Sequence, residues 1–363
     1  MCQIELSILS ISSNSTKGVE VSKSIDPYLF EDLAEIAFNL SASTRELQGA
    51  KILILGGTGF IGSWLTRSLL FLNREFNLKI ELILATRDQK SAATKFSYWG
   101  RDSLDFIELD LAKFGSIPID GVTHVIHGAT SSTKLSGSEN AEQVFNSTVN
   151  GIKSLLHSNL ITSNTPKIVH LSSGAVYGKT KQEILMEVDI GSKSNLSLSN
   201  YAQAKVEAET ILSNADTNGL VLGANPRLFA FFGPGLVMNE HFAIGNFLND
   251  AMNKREIALN GSPLTTRSYL YPTDLVTWIL NILMNPVNQI FHVGSENAIS
   301  MDKLAETINM LTNNDGVRIS NPHSEVNHYV PSTVKTRQMY GVSEMVSLEQ
   351  GLVRWIKFLE KTN

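Results

Sequence analysis

The segment SNYAQAKVEAE (199–209) holds a tyrosine and a lysine four residues apart, Tyr201 and Lys205. The segment predicts a helix, and on a helix that spacing puts both side chains on one face. A phenol titrates at about 10 in water, too high for a base at neutral pH, and a nearby ammonium favours its phenolate. The pair can therefore move a proton to or from a substrate hydroxyl, with Lys205 tuning Tyr201. The same spacing also describes an idle surface pair, so the rest of the chain must decide.

GGTGFIG (56–62) brings a second piece of chemistry. It follows the apolar run KILIL and opens a helical pattern, FIGSWLTRSLLFLNREF. Gly56, Gly59 and Gly62, with Phe60 and Ile61 before the last, spell G-x-x-G-x-x-G. Glycine permits the tight turn and lets backbone N–H groups approach a pyrophosphate, and the helix N-terminus adds a favourable dipole. In a strand–turn–helix setting the motif predicts dinucleotide binding. The next strand ends in Ala85-Thr86-Arg87-Asp88. NAD sites commonly carry an acid there for the adenosine ribose; Thr86 and Arg87 suit a 2′-phosphate and favour NADP. Asp88 turned inward would favour NAD instead.

These residues need a frame. KILILGG, IELILATRD, DFIELDL, THVIHGAT, KIVHLSS and LVLGANPRLF read as strands, and helical patterns separate most of them. Alternation of this kind predicts an α/β fold, a Rossmann-type doubly wound parallel sheet. After about residue 233 the rhythm changes to helices with short strands, which predicts a smaller interleaved C-terminal lobe for substrate. The expected division is 1–49, an extension with one helix; 50–233, the dinucleotide-binding domain; and 234–363, mainly the substrate lobe. Residues 1–24 read as a loose lead-in. In DPYLFEDLAEIAFNL (26–40), Leu29, Leu33, Ile36, Ala37 and Leu40 follow helical spacing after Asp26 and Pro27, so a helix packed on the main domain is expected.

Composition removes several classes of function. Of 363 residues, 42% are hydrophobic and 18% charged, which fits a globular chain with a sizeable core. A net charge of −5 without a Lys/Arg run argues against nucleic acid. Cys2 is the only cysteine, so neither a disulfide framework nor a cysteine zinc site is available, and a reducing cytoplasm fits. No run of about 18 apolar residues suggests a membrane span, and the N-terminus lacks the basic start of a secretory signal.

Taken in order, the motifs resemble the extended short-chain dehydrogenase/reductase family, in its nucleotide-sugar epimerase/dehydratase branch, over about residues 50–360. GGTGFIG is similar to that family's cofactor turn, LSSGAVYG (171–178) to its serine strand, and YAQAK to its Y-x-x-x-K. PRLFAFFGPG (226–235), RSYLYPTDL (267–275) and FHVGSENAISMDKLAETI (291–308) resemble its later motifs. The resemblance implies Tyr201, Lys205 and Ser173 as the catalytic set. It implies Asp110, Leu111, Gly128, Ala129, Thr130 and Phe229 along the cofactor, and Arg267 and Tyr269 facing a substrate diphosphate. Ala230 and Thr148 depart from the family pattern, so the sugar pocket is expected to be rebuilt, with Phe242 and His241 as candidates for its wall. A homodimer through the Tyr201 helix is also implied.

Gly174-Ala175 stands where family dehydratases carry Asp-Glu and decarboxylases a Glu. Neither residue can transfer a proton. Glu183, Glu187 and Asp189 follow on what reads as a solvated loop. The expectation is therefore 4-keto reduction by NADPH, or 4-epimerisation with retained NAD, on a nucleotide-diphosphate sugar. A dehydratase or decarboxylase is the runner-up, and a non-catalytic NAD(P)-binding regulator the reading from another class.

Overall fold

The computed structural model describes residues 27–100, 103–129, 138–158, 165–178, 180, 182–192, 198–238, 242–314 and 316–362. The lead-in at 1–24 lies outside them. The first element is helix α1 (Pro27–Leu40), whose stripe of Leu29, Leu33, Ile36, Ala37 and Leu40 is buried. The chain then alternates through β1 (Lys51–Leu55), α2 (Phe60–Phe76), β2 (Glu81–Thr86), α3 (Gln89–Lys95), β3 (Leu104–Glu108), β4 (His124–His127), α4 (Ser138–His157), β5 (Lys167–His170), β6 (Ser172–Ser173), α5 (Asn200–Thr217) and β7 (Leu222–Leu228). It continues through α6 (Ala243–Met252), β8 (Ile257–Asn260), β9 (Thr266–Arg267), α7 (Pro272–Met284), β10 (Ile290–Val293), β11 (Ile299–Ser300), α8 (Met301–Thr312), β12 (Val317–Ser320), β13 (His328–Tyr329), α9 (Val334–Tyr340) and α10 (Leu348–Thr362).

The large sheet runs β10-β7-β5-β4-β1-β2-β3, with every neighbouring pair parallel. Its central strands β1, β4 and β5 are buried without alternation because both faces are covered. Helices α1, α2 and α7 cover one face, and α4 and α5 the other. The order reverses at β1: β2 and β3 lie to one side, β4 and β5 to the other. At such a point the loops leaving adjacent strands diverge and open a crevice at the strands' carboxyl ends. This is the Rossmann-type frame expected from the alternation.

One expected strand, KIVHLSS, is divided. β5 ends at His170, and Ser172–Ser173 pair with the end of β7 instead. The step carries Ser173 toward the second lobe. That lobe packs α6, α8 and α10 around one hydrophobic cluster, beside the small sheets β11-β9-β13 and β12-β8. Strand β10 and helix α7, both beyond residue 233, return to the large sheet, so the two layers are interleaved.

Candidate functional site

A cavity of about 990 Å³ runs from the glycine turn, along the crevice beside β1, to the junction of the lobes. Gly56, Gly59, Phe60, Ile61, Gly62, Thr86, Arg87, Asp110, Leu111, Gly128, Ala129, Ser173, Tyr201, Lys205, Phe229, Phe242, Arg267 and Tyr269 all line it. Thr130 and His241 lie outside the described residues.

The turn after β1 is built for close approach. Gly56 has φ +90°, and a Cβ there would lie 2.8 Å from the Ala129 nitrogen. A Cβ on Gly62 would lie 2.1 Å from the Gly56 carbonyl oxygen. Gly59 caps α2, whose N-terminus opens on the cavity. A backbone cradle that side chains would fill, at a helix N-terminus, fits the pyrophosphate of a dinucleotide.

At the β2 end, Thr86 is half-buried and Arg87 exposed. Asp88 caps α3, its carboxylate accepting from the Ser91 N–H at 2.9 Å. That bond holds the carboxylate to its own helix. Sequence reasoning missed Ser91 and Lys95 on the same wall. Lys95 donates to the Thr58 carbonyl at 2.6 Å, and burial lowers its ammonium from the ordinary value, helped by the Arg67 charge.

At the inner end, Ser199 caps α5 by accepting from the Ala202 N–H at 3.3 Å. Ala202, Ala204 and Ala208 are buried, so this helix lies close to its neighbours. Lys205 is 2% exposed and donates to the Leu171 carbonyl at 2.7 Å. Its Nζ is 5.6 Å from the centre of the Tyr201 ring. Burial pushes the ammonium down to about 8, against the raising effect of Glu209. Tyr201 and Ser173 line the same end of the cavity, and the Ser173 Oγ accepts from the Ala175 N–H at 3.2 Å. The expectation that Lys205 lowers Tyr201 does not describe this state. Burial holds the phenol above its ordinary value, and the neighbouring Ser173 hydroxyl only partly offsets it. In this state the ammonium is bonded to the Leu171 carbonyl.

Beneath this trio lies a polar network. Glu209, one turn beyond Lys205, accepts from Arg227 Nε at 2.9 Å and Nη2 at 2.7 Å, and from the Ser172 hydroxyl. Arg227 Nη1 donates to the Tyr177 hydroxyl at 2.9 Å, and that hydroxyl is bonded to His292. These groups are buried, so each charge has to be satisfied inside the protein.

The second lobe supplies the outer wall. Arg267 donates from Nη1 to the Thr266 and Asn327 carbonyls at 2.8 and 3.1 Å. Tyr269 is buried, while Phe242 is 39% exposed at the start of α6. Tyr329, which sequence reasoning also missed, sits opposite Arg267 in the β9–β13 register, lines the cavity, and donates from its hydroxyl to the Leu228 carbonyl at 3.5 Å. Nothing local in HYVP marks it; only the pairing of distant strands brings it in. Glu183 is exposed, but Glu187 and Asp189 are partly buried. The loop is drawn inward because Leu185 bridges to Pro331 and Arg227 reaches the Glu187 carbonyl at 3.4 Å.

With that geometry in place, comparison with known proteins is informative. A family model described as NAD dependent epimerase/dehydratase matches residues 52–294. UDP-glucuronic acid decarboxylase 6 of Arabidopsis thaliana is 23% identical over 94% of this chain and 95% of its own. UDP-glucuronic acid decarboxylase 1 of Xenopus tropicalis is 24% identical over 86% of this chain and 72% of its own. Among solved structures, a UDP-glucose 4-epimerase from Thermotoga maritima with UDP-glucose has a TM-score of 0.71 at 20% identity, covering 86% of this chain and 99% of that one. A dTDP-glucose 4,6-dehydratase from Streptomyces venezuelae with NAD bound has a TM-score of 0.71 at 21% identity, covering 86% and 97%. Among the described residues, no helix is long and apolar enough to cross a membrane, and no cluster of His, Cys, Asp and Glu suits a metal ion.

Proposed function

This chain belongs to the NAD dependent epimerase/dehydratase family, and on that premise we propose that it reduces a 4-keto group on a nucleotide-diphosphate hexose, using NADPH. The observation that carries the reading is that Ser173, Tyr201 and Lys205 meet at the inner end of one cavity, with burial holding the Tyr201 phenol above its ordinary value. A phenol kept above its ordinary pKa is an acid at neutral pH, suited to giving its proton to a carbonyl oxygen. The nicotinamide, when bound, supplies the hydride. Ser173 holds the reacting oxygen, Tyr201 delivers the proton to it, and the Lys205 charge stabilises the phenolate left behind. In the reverse direction the same groups take a proton from an alcohol, so 4-epimerisation uses the same apparatus.

NADP is favoured over NAD by Thr86 and Arg87, now joined by Lys95 along the same wall, and by Asp88 being tied to Ser91. Arg267 is the cation placed to meet a substrate diphosphate. A two-fold dimer through α4 and α5 belongs to the same reading, and light scattering on the purified protein tests it.

A second reading has support from the relatives named above: decarboxylation of UDP-glucuronate. Oxidation at C4 makes the C6 carboxylate a β-keto acid. The C5–C6 bond then breaks, CO₂ leaves, and its electron pair passes into an enol that takes a proton at C5. Reduction at C4 completes the cycle. Loss of CO₂ itself needs no carboxylate at 174–175. Dehydration at C5–C6 does need an acid and a base, and Gly174-Ala175 supplies neither.

The deciding experiment offers the purified protein dTDP-4-keto-6-deoxyglucose with NADPH or NADH and, separately, UDP-glucuronate with NAD. Oxidation of NADPH with the keto sugar is the expected result. Release of CO₂ from UDP-glucuronate without NADPH consumption would overturn it in favour of the second reading.

A further inference from the structure

Ser173 stands between two anchors on one buried ion pair. Ser172, just before it, gives its hydroxyl proton to Glu209. Tyr177, at the end of the turn that follows, accepts from Arg227 Nη1 at 2.9 Å, and Arg227 is bonded twice to the same Glu209. Between the anchors lies one 3₁₀ turn, Gly174–Tyr177, which Ser173 caps: the Ala175 N–H donates to the Ser173 Oγ at 3.2 Å. A hydroxyl has one proton and two lone pairs. With one lone pair occupied by the Ala175 N–H, the proton and the other lone pair remain for the cavity that Ser173 lines.

His292, on β10, closes the outer end of this arrangement. Its Nδ1 lies 2.9 Å from the Ser332 carbonyl. A carbonyl oxygen only accepts, so Nδ1 carries the ring proton and Nε2 is a bare acceptor. Burial lowers the ring to about 3, against the raising effect of the Ser332 bond and with the Arg227 charge adding to it, so Nε2 stays bare at neutral pH. The Tyr177 hydroxyl is bonded to that nitrogen and is therefore the donor. The directions are thereby set: Tyr177 gives to His292 and takes from Arg227. The His292 ring also packs edge-on against Phe229 of the cavity wall, with ring centres 5.0 Å apart.

We propose that His292 is a positioning residue of the reaction centre: by accepting from Tyr177 it pins the far end of the turn whose near end presents the Ala175 N–H to Ser173. Arg227 holds the phenol oxygen from the large sheet. His292 holds it from the side of Ser332, in the link between β13 and α9. Two bonds in different directions fix a ring that one would let swing. Ser173 depends on this precision, because the reacting oxygen must lie within reach of Ser173 and Tyr201 together, and a shift of about 1 Å can cost on the order of a hundredfold in rate. The inference rests on the assignment of Ser173 and Tyr201 made above.

Two measurements on the full-length protein test it. Nitrogen-15 NMR of histidine-labelled protein identifies His292 by the ring signals missing from His292→Gln. It should be the Nδ1–H tautomer, and Tyr177→Phe should move its Nε2 signal. Steady-state reduction of the keto sugar by NADPH then reads Ser173. Tyr177→Phe and His292→Leu should each lower kcat about tenfold, the equivalent of one hydrogen bond, with NADPH affinity by calorimetry unchanged. His292→Gln, whose amide oxygen can accept from Tyr177, should keep most of the rate. In a Ser173→Ala background neither Tyr177→Phe nor His292→Leu should lower kcat further. A ring proton on Nε2, or a kcat that falls equally with and without Ser173, overturns the inference and leaves the site assignment standing. A kcat indifferent to Ser173→Ala overturns the site assignment, and the inference with it. If the unaltered protein instead releases CO₂ from UDP-glucuronate, keto reduction is overturned and the same cycle is read on that release.

Discussion

Replacing Glu209 with Gln should destabilise the protein far more than a single lost hydrogen bond. Glu209 and Arg227 are 5% and 4% exposed. Arg227 gives Glu209 two bonds, at 2.9 and 2.7 Å, and Ser172 gives a third. Gln keeps the shape and one acceptor but removes the charge, leaving the Arg227 guanidinium buried against the Tyr177 hydroxyl and the Glu187 carbonyl. Breaking one side of such a pair costs about 3–5 kcal/mol, a large part of a typical total of about 5–15 kcal/mol. The damage should reach the active centre as well. Glu209 is the charge that raises Lys205 against its burial, so its loss should push Lys205 below about 8. Urea unfolding at constant m-value measures the first effect. The Glu209→Leu/Arg227→Met variant, with both charges gone, should recover more than half of the loss. A Glu209→Gln cost under about 1 kcal/mol, or no recovery in the double variant, would refute the account of Arg227 as a buried charge dependent on Glu209.

Lys205 also sets a pH limit. Its ammonium, lowered to about 8 by burial, loses its charge as pH rises through that value. The kcat/KM of the free enzyme should then fall on the alkaline side, and Lys205→Arg should remove that limb while lowering the rate. Because the unfolded lysine keeps its proton to 10.5, stability gains from this group as pH rises between about 8 and 10.5. Asp274 gives the opposite slope. Burial raises it from 3.8 to about 7, so the unfolded chain ionises first and stability falls as pH rises across that window. Asp274→Asn should flatten this part of the urea-midpoint profile, since an amide oxygen can still accept from the Met345 and Val346 N–H groups. Gly62→Ala should abolish NADPH binding measured by calorimetry, because its Cβ would fall 2.1 Å from the Gly56 carbonyl.

The frame was legible because its signals are local. An apolar run, a glycine turn and an amphipathic helix repeat along the first half, and each element is marked by its own residues. The glycine motif and the Tyr201–Lys205 spacing were legible for the same reason. What the sequence hid is what only distant pairing creates. Tyr329 joins Ser173 in the cavity lining through the β9–β13 register, 156 residues away in the chain. Spacing places a lysine near the Tyr201 phenol but does not show where the ammonium is bonded. Leu171, not Tyr201, holds it. Glu187 and Asp189 looked solvated because their segment is polar, and the bridge from Leu185 to Pro331 that draws them inward has no local mark.

The choice of reaction turns on one glycine. An acid at residue 174 would be needed on this strand for dehydration at C5–C6, yet its Cβ would already strike Tyr329 and Phe229. The absence of a carboxylate there is therefore coupled to the presence of a phenol contributed by the other lobe. Gly174→Asp should therefore not restore elimination, because the side chain would have to displace Tyr329 and Phe229. The two lobes thus define the site jointly. The Rossmann layer brings Ser173, Tyr201 and Lys205 to the end of the sheet, and the second lobe adds Arg267, Tyr269 and Tyr329 to the same cavity.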